Sequence, residues 1–265
     1  MSRQERAAQN STGGDQSLER PGASGATGAS NSKEVENIRH FYNNVYYARS
    51  QGAEEEYRTH YQRLFTKVGI HRGDRVLDVA CGTGDWLQTC ARNGCQVSGV
   101  DLSDKAVEIC RSRIPAGEFY AQPAETLPFP DQHFDTISCL GSLEHFIDPL
   151  ASLLEMRRVA KKGAIFILLV PNSGFLTRRL GLFGGTQQVD AKEVVRSLDE
   201  WAAIFRDAGL NITRRWKDLH VIHPDWIMRG HPAAWPLRLV QALLLWTWPL
   251  AWQYQVYHLC TAENS

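Results

Sequence analysis

The sequence predicts an α/β fold, in which helices cover both faces of a largely parallel sheet. Short apolar runs alternate with amphipathic stretches through most of the chain. A glycine loop, Gly82-Thr83-Gly84, follows the apolar run at residues 76–79, and an acidic residue, Asp101, ends the next apolar run. Together these features predict a strand, a tight turn and a helix that surround a ribose-bearing ligand.

The alternation predicts seven strands, at residues 76–79, 96–101, 118–121, 136–140, 164–170, 211–217 and 253–260. Helices are predicted at residues 54–68, 85–93, 105–113, 149–160 and 198–208, after an earlier helix that begins near Lys33. Ser103 or Asp104 is expected to cap the third of these listed helices, and Gly209 to end the last.

The glycine loop differs from the loop of a dinucleotide site. Such a site has the pattern G-x-G-x-x-G, and the pyrophosphate rests on the N-terminus of the following helix. Here Leu87 replaces the third glycine, and Asp85 stands where the phosphate would rest. Because a carboxylate repels a pyrophosphate, the loop favours a nucleoside without phosphates, including one with a positive charge. S-adenosylmethionine (SAM), with its ribose, sulfonium and ammonium groups, fits, and a dinucleotide oxidoreductase is disfavoured.

Four segments together carry a resemblance to a known family: residues 76–85, 97–103, 124–135 and 143–146. With these four segments in this order, the chain resembles class I SAM-dependent methyltransferases of the small-molecule group over roughly residues 35–215. Its loop, D-V-A-C-G-T-G-D, is also similar to that of quinone-ring C-methyltransferases. The resemblance implies a Rossmann-like seven-stranded methyltransferase sheet whose last strand is antiparallel. It also implies N-terminal helices that cover the cofactor.

The resemblance also implies which residues bind SAM. The methionine part and ribose would lie over the glycine loop, the ribose hydroxyls on an acid, and the adenine between the next two strand ends. The residues are Asp78, Ala80, Gly82 and Gly84 in the loop, Asp101 for the ribose, Leu102, Ala124 and Glu125 around the adenine, and Leu140 and Gly141 near the sulfonium. Two departures from the family pattern are Ala80, where many relatives have glycine, and Pro123, where many have aspartate. From the residues alone, Asp101 could also be a turn acid or a helix cap.

Composition limits the function classes. The net charge is +0, with 29 basic and 29 acidic residues and no long basic run, so a nucleic-acid substrate is not indicated. The 6 cysteines form no C-x-x-C pair, and no cluster of acids and histidines suggests a metal site. Residues 1–32 are expected to be a disordered tail without a signal sequence, and residues 33–265 a methyltransferase domain in the cytoplasm. The oligomeric state is left open.

Two less regular segments, residues 172–195 and 220–252, are expected to determine the substrate. The second contains five tryptophans, and its residues 239–252 are almost entirely apolar. This stretch is shorter than the roughly 20 residues of a membrane span. Three interpretations remain open: a buried helix, an aromatic cap over a substrate pocket, or a peripheral membrane contact through residues 235–252.

Methyl transfer from a sulfonium is an in-line displacement, so alignment of the acceptor supplies most of the catalysis. A base helps when the acceptor is a hydroxyl or an acidic carbon, and the candidates are His145, His220 and His223. The sequence therefore predicts a methyltransferase acting on a small hydrophobic or aromatic molecule, with O-methylation favoured. A quinone- or lipid-directed C-methyltransferase and a SAM-binding protein without transferase activity are the alternatives.

Overall fold

A computed structural model describes residues 35–36, 38–40, 43, 54–181, 193–219, 228 and 231–262 of the chain. The predicted tail, residues 1–32, lies outside the described residues, as do parts of the segments 172–195 and 220–252.

The described residues contain a seven-stranded sheet. Its strands are β1 (Arg75–Val79), β2 (Gln96–Asp101), β3 (Glu118–Ala121), β4 (Phe134–Leu140), β5 (Ala160–Pro171), β6 (Leu210–Lys217) and β7 (Gln255–Ala262). Their spatial order is β3-β2-β1-β4-β5-β7-β6, and β7 runs antiparallel to both of its neighbours. The predicted seven-stranded Rossmann-like sheet with an antiparallel last strand is confirmed.

Helices pack on both faces of this sheet, as predicted. The helices of the described residues are α1 (Glu54–Val68), α2 (Asp85–Arg92), α3 (Asp104–Arg113), α4 (Pro149–Val159), α5 (Leu176–Arg179), α6 (Leu198–Asp207) and α7 (Trp235–Thr247). Buried side chains of α1, α2 and α3 form one core cluster with the sheet, and those of α4 and α6 form the other. Short 3₁₀ turns lie at Leu143–His145, Pro232–Ala234 and Leu250–Trp252.

The helix ends follow from local chemistry. Ser103 caps α3, because its hydroxyl accepts the Ala106 N–H at 3.2 Å. A capping box of Ser197 and Glu200 begins α6, and Gly209, with φ +72°, follows its end. These ends lie within about two residues of the predicted ones, which is the usual uncertainty of a helix boundary.

The β5 prediction is four residues too short at its start. The strand begins at Ala160, which pairs with Phe134, and the register shifts before Thr136 pairs with Ile165. Lys161, Lys162 and Gly163 fall within this irregularity. Their sequence is typical of a turn, which hides the fact that the strand continues through them.

Helix α7 is exposed, so its interpretation as a buried helix is wrong. Ala242 is its only buried residue. Leu237 is 71% exposed and Trp246 is 67% exposed. Within the described part of the chain, no helix is both long enough and apolar enough to cross a membrane.

Candidate functional site

A cleft lies at the carboxyl ends of β1, β2, β3 and β4, and it encloses about 690 Å³ including its open mouth. The sheet order changes direction between β1 and β4, and open α/β sheets bind ligands at this kind of crevice. The cleft is lined by Val35, Ile38, Ala80, Val100, Asp101, Leu102, Gln122, Pro123, Ala124, Glu125, Ser142, His145, Phe146 and Ile147. Six of the predicted site residues therefore meet at one cavity.

The glycine loop after β1 has a left-handed backbone at three positions. The φ angles are +61° at Ala80, +53° at Gly82 and +80° at Gly84. A side chain at Gly84 would bring a Cβ atom within 2.9 Å of the Cys110 sulfur. The turn therefore brings the backbone close to α3, and it leaves the Ala80 backbone on the wall of the cleft.

Asp101 holds the ends of β1 and β2 together. Its Oδ2 accepts the Gly82 N–H at 2.8 Å, and its Oδ1 accepts the Ser103 N–H at 2.9 Å. Burial raises the pKa of this carboxyl, while hydrogen bonds from the backbone N–H groups of Ser103, Gly82 and Leu102 oppose the rise. Because a carboxylate offers about four acceptor positions, the three backbone hydrogen bonds leave acceptor capacity for a ligand.

Asp85 does not face the cleft. Its Oδ1 forms a salt bridge with Arg113 at 2.9 Å, and its Oδ2 accepts the Thr83 hydroxyl at 2.9 Å. Because the Arg113 guanidinium of α3 offsets its charge, Asp85 would repel a phosphate less strongly than the sequence suggests. The remaining carboxyls near the loop are Asp101 and Asp78.

Asp78 lies buried beneath the loop. The Ser138 hydroxyl donates to its Oδ1 at 2.6 Å, and the Trp86 indole N–H donates to Ser138 at 2.9 Å. Burial raises the pKa of Asp78 to about 7, the Ser138 hydrogen bond opposes the rise, and the nearby Asp101 adds to it. This chain of hydrogen bonds joins β1, β4 and α2 under the cleft.

The opposite wall follows β3. The Gln122 N–H donates to the Asp101 carbonyl at 3.0 Å, and the Asp148 N–H donates to Glu125 Oε1 at 3.4 Å. Pro123 occupies the wall where a hydrogen-bonding side chain is usual in the resembled family. Gln122 was not predicted, although its place directly after β3 is the signal that could have found it.

The segment before α1 also contributes to the cleft. Val35 and Ile38 line it, and Asn43 Oδ1 accepts the Ser103 hydroxyl at 2.5 Å. The helical spacing of Val35 and Ile38 was visible in the sequence, but the spacing alone does not say what they contact. The segment before α1 therefore borders the cleft on the side of Asp101 and Ser103.

The turn after β4 completes the cleft. His145 and Ser142 line it, whereas Leu140 and Gly141, with φ +74°, lie just before them in the chain and do not. His220 and His223 lie outside the described residues, so only one of the three predicted bases has a place in the structure. Phe146 and Ile147 were not predicted, and their nearness to His145 in the chain is the available signal.

Glu144 is a further polar residue of this turn that was not predicted. It is 4% exposed, and burial raises the pKa of its carboxyl to about 8. It belongs to the segment 143–146 that carries the resemblance but was not named as a site residue, and its place next to His145 is the signal that could have found it.

In the described part of the chain, no group of three or more histidine, cysteine, aspartate or glutamate residues could hold a metal ion.

The family profile described as methyltransferase domain matches residues 48–215. The chain belongs to the methyltransferase domain family. The chain is 35% identical over 139 residues to the demethylmenaquinone methyltransferase of Thermotoga maritima, covering 51% of this chain and 59% of that protein. It is 31% identical over 121 residues to the Staphylococcus aureus enzyme of the same name, covering 43% and 50% respectively. The chain thus spans about half the length of the curated relatives it matches.

Two solved structures share the fold of this chain. A SAM-dependent methyltransferase from Thermotoga maritima superposes with a TM-score of 0.61 at 18% identity, covering 86% of this chain and 99% of its own. The magnesium protoporphyrin IX methyltransferase of Synechocystis, solved with bound S-adenosylhomocysteine (SAH), gives 0.59 at 17% identity, covering 85% and 98%. The chain therefore has the fold of class I SAM-dependent methyltransferases.

Proposed function

We propose that this protein transfers a methyl group from SAM to a lipophilic aromatic molecule. The observation that carries the proposal is the cleft itself. Its left-handed loop and the buried carboxyl of Asp101 meet at the point where the sheet order reverses, in a chain of the methyltransferase domain family. When bound, SAM supplies an electrophilic methyl group on a cationic sulfur.

The residues of the cleft fit that cofactor. Asp101 has acceptor capacity for the ribose hydroxyls, and the left-handed turn places Ala80 on the wall of the cleft, where a ligand can approach the loop. Leu102, Ala124 and the neighbouring Pro123 supply an apolar slot for a flat base. Asp78 and Asp101 together favour a cationic ligand, because positive charge nearby relieves the repulsion between two buried carboxyls.

The remaining predicted residues have proposed places around the same ligand. Glu125 would lie at the adenine edge, and Ala80 beneath the methionine part. Leu140 and Gly141 would approach the sulfonium from the end of β4. His145 lines the cleft and would contact the acceptor or accept its proton, a role that remains open for His220 and His223 as well.

Calorimetric titration with SAH tests cofactor binding. We expect saturable binding by the unmodified protein and at least about a tenfold loss in Asp101→Asn, because hydrogen bonds to a charged group contribute about 1.5–3 kcal/mol. Asp207→Asn is the matched control, since Asp207 lies in α6 and is not part of the cleft. Absence of heat with both SAM and SAH would overturn the proposal.

The acceptor is proposed from the relatives and from the apolar surface of the chain. Both curated relatives described above carry the name of a quinone-ring methyltransferase. Exposed leucines and tryptophans of α7 offer contacts for a molecule of the same lipophilic character. We therefore favour a ring carbon of a reduced quinone over the O-methylation suggested by the sequence.

Mass spectrometry can separate these two outcomes. The protein is supplied with trideuteromethyl-SAM and either a short-prenyl naphthoquinol or a catechol. We expect a labelled methyl on the naphthoquinol ring carbon, and a labelled methyl ether on the catechol would instead support O-methylation. Binding of SAM without any labelled product from a wider panel of phenols would favour the binding-protein alternative.

We also propose that α7 docks at the surface of a membrane containing anionic lipids. Residues 231–252 contain no acidic side chain, and Arg238 lies within the helix. Tryptophans stand near both ends of α7, and the Lys217 ammonium donates to the Trp246 carbonyl at 2.7 Å. Apolar surface, aromatic ends and cationic neighbours are the features of helices that lie in the membrane interface.

Vesicle flotation tests this contact. We expect binding to vesicles of phosphatidylglycerol and phosphatidylcholine, and strong loss of binding in the double variant Leu237→Ser with Trp246→Ser. Leu154→Ser is the control, because Leu154 is exposed on α4. Equal binding by both variants would contradict the proposal. Light scattering that finds a dimer for the unmodified protein and a monomer for the double variant would also contradict it, because α7 would then contact a second copy of the chain.

A further inference from the structure

We propose that the cleft recognises the purine ring of its cofactor by shape and apolar contact, without a hydrogen bond to the 6-amino group, and that Pro123 sets this specificity. The inference rests on the proposed function and deepens it, because it concerns which nucleoside cofactors the same cleft accepts. It follows from the hydrogen bonds of the segment directly after β3, residues 122–126, which we call the β3 wall.

The purine ring of a bound nucleoside belongs on the β3 side of Asp101, whose carboxylate takes the ribose. Ala121 is the sheet partner of Asp101, so the β3 wall begins beside this acid at the same edge of the sheet. Towards β1 the cleft meets the backbone of the glycine loop at Ala80. A flat base favours an apolar slot over such a turn. The apolar side chains that line the cleft near the β3 wall and the turn after β4 are Leu102, Pro123, Ala124, Phe146 and Ile147.

Pro123 offers a base neither a hydrogen-bond donor nor a side-chain acceptor. It lines the cleft, and its ring nitrogen carries no hydrogen. Its carbonyl accepts the Thr126 N–H at 3.5 Å, within the turn that follows β3. The ring of Pro123 therefore adds apolar surface to the cleft and no group that could recognise an amino substituent.

The polar groups of the same wall are bound to other parts of the protein. The Gln122 N–H donates to the Asp101 carbonyl at 3.0 Å, and the Gln122 side-chain amide donates to the Thr126 carbonyl. Glu125 Oε1 accepts the N–H of Asp148, the residue that caps α4, at 3.4 Å. These bonds attach the β3 wall to β2, to itself and to α4, and they reduce its capacity to bind the edge of a base.

The 6-amino group is therefore assigned to water. The β3 wall reaches the surface, since Thr126 is exposed and Gln122 and Glu125 are half-buried. An amino group that bonds to water leaves no protein group unsatisfied when it is removed. Sites that hydrogen-bond a substrate group reject the analogue without it by about 10⁴- to 10⁵-fold, whereas apolar pockets discriminate by only about 10- to 200-fold. The cleft should consequently tolerate a change at this position of the purine.

Calorimetric competition against SAH tests the inference. The probe is the 6-desamino analogue of SAH, in which an unsubstituted purine replaces adenine and only the amino group is missing. We expect its dissociation constant to lie within about threefold of that of SAH in the unmodified protein. The variant Pro123→Asp places an acceptor in the β3 wall. It should prefer SAH over the analogue by at least about tenfold, because hydrogen bonds to a charged group are strong.

Pro130→Asp is the matched control. Pro130 is exposed in the same connection between β3 and β4, and it is not one of the described residues that line the cleft. This variant loses the same ring and gains the same charge, and it should bind the two ligands as the unmodified protein does. Because the two ligands are compared within each variant, a general loss of affinity or stability does not change the ratio.

The outcomes separate the two proposals. A protein that binds neither SAH nor its analogue overturns the proposed function and this inference with it. An unmodified protein that binds SAH at least about tenfold more tightly than the analogue overturns the inference alone, because a group of the cleft would then recognise the amino group. If Pro123→Asp and Pro130→Asp show the same ratio, Pro123 does not set the specificity. If Pro123→Asp does not fold, the ratio in the unmodified protein decides.

Discussion

Ala80 is held in a backbone conformation that suits glycine better than alanine. Its φ of +61° lies in the left-handed region, which costs an L-residue roughly 1–2 kcal/mol. We predict that Ala80→Gly stabilises the protein by about 0.5–1 kcal/mol, the gain being reduced by the larger entropy of glycine in the unfolded chain. Urea denaturation measures the change. Ala203→Gly, within α6, should instead destabilise by about 1 kcal/mol, and equal effects of both would contradict the explanation.

Asp78 should make stability depend on pH. Its pKa rises from 3.8 in the unfolded reference to about 7 in the folded protein. The unfolded chain therefore loses this proton first, so stability falls as the pH rises from about 4 to about 7. At about 1.4 kcal/mol per pKa unit, the contribution is on the order of a few kcal/mol.

The variant Asp78→Asn tests this contribution, because it stays neutral throughout. We predict that the difference in unfolding free energy between the two proteins changes across pH 4 to 7 and is constant above about pH 8. Asp207→Asn, an exposed change on α6, provides the comparison. A constant difference for Asp78→Asn over the whole range would show that its carboxyl ionises normally.

At the scale of elements, the turn between β1 and α2 is restricted by both conformation and contact. Gly84 and Gly69 have similar φ angles, +80° and +78°. A Cβ atom on Gly84 would meet the Cys110 sulfur at 2.9 Å, whereas one on Gly69 would meet nothing within 4 Å. Comparing Gly84→Ala with Gly69→Ala therefore separates the contact from the backbone strain.

We predict that Gly69→Ala costs about 1 kcal/mol, from strain alone. Gly84→Ala should cost about 1–3 kcal/mol more, because a packed core must shift to accommodate the new atom. It should also weaken SAH binding, since the shift moves the loop that lines the cleft. Thermal unfolding and calorimetry of both variants provide the check, and equal stability losses would rule out the contact.

The elements themselves were largely predictable from the sequence. Strand β5 contains a run of apolar residues at 164–170, and Ser103 and Gly209 mark helix ends by their chemistry. The exposure of α7 was not predictable, because an apolar run looks the same whether its partner is the core or another surface. Only the three-dimensional structure shows that α7 lies outside the core.

The candidate site was predicted in part. The difference between the residues that were predicted and those that were not has a physical cause. Asp101 and the loop at Ala80 were identified because a fixed spacing joins them. Gln122 was not, because its hydrogen bond to the Asp101 carbonyl joins two different strands, and only its place directly after β3 points to it. Asp85 was misjudged in the opposite direction. Its position in the sequence suggested an unpaired charge, whereas its carboxylate forms a salt bridge with Arg113 on the next helix.

For the whole molecule, a ligand that binds only the folded state should raise its stability. At 100 times its dissociation constant, SAH should add about 2.7 kcal/mol. For a domain of this size that corresponds to a rise of about 5–10 °C in Tm. Differential scanning calorimetry measures the shift, and NAD at the same concentration should leave Tm unchanged. A shift with NAD alone would restore the dinucleotide interpretation.

The sheet order has a consequence for how this protein is made. β7 lies between β5 and β6, although it is synthesised after both. Until Gln255–Ala262 have left the ribosome, the facing edges of β5 and β6 have no hydrogen-bonding partner between them. The nascent chain therefore carries an open edge on β5, and then on β6 as well, from the synthesis of those strands until β7 emerges, and such edges promote aggregation. Chaperone binding should accordingly last until the final strand emerges.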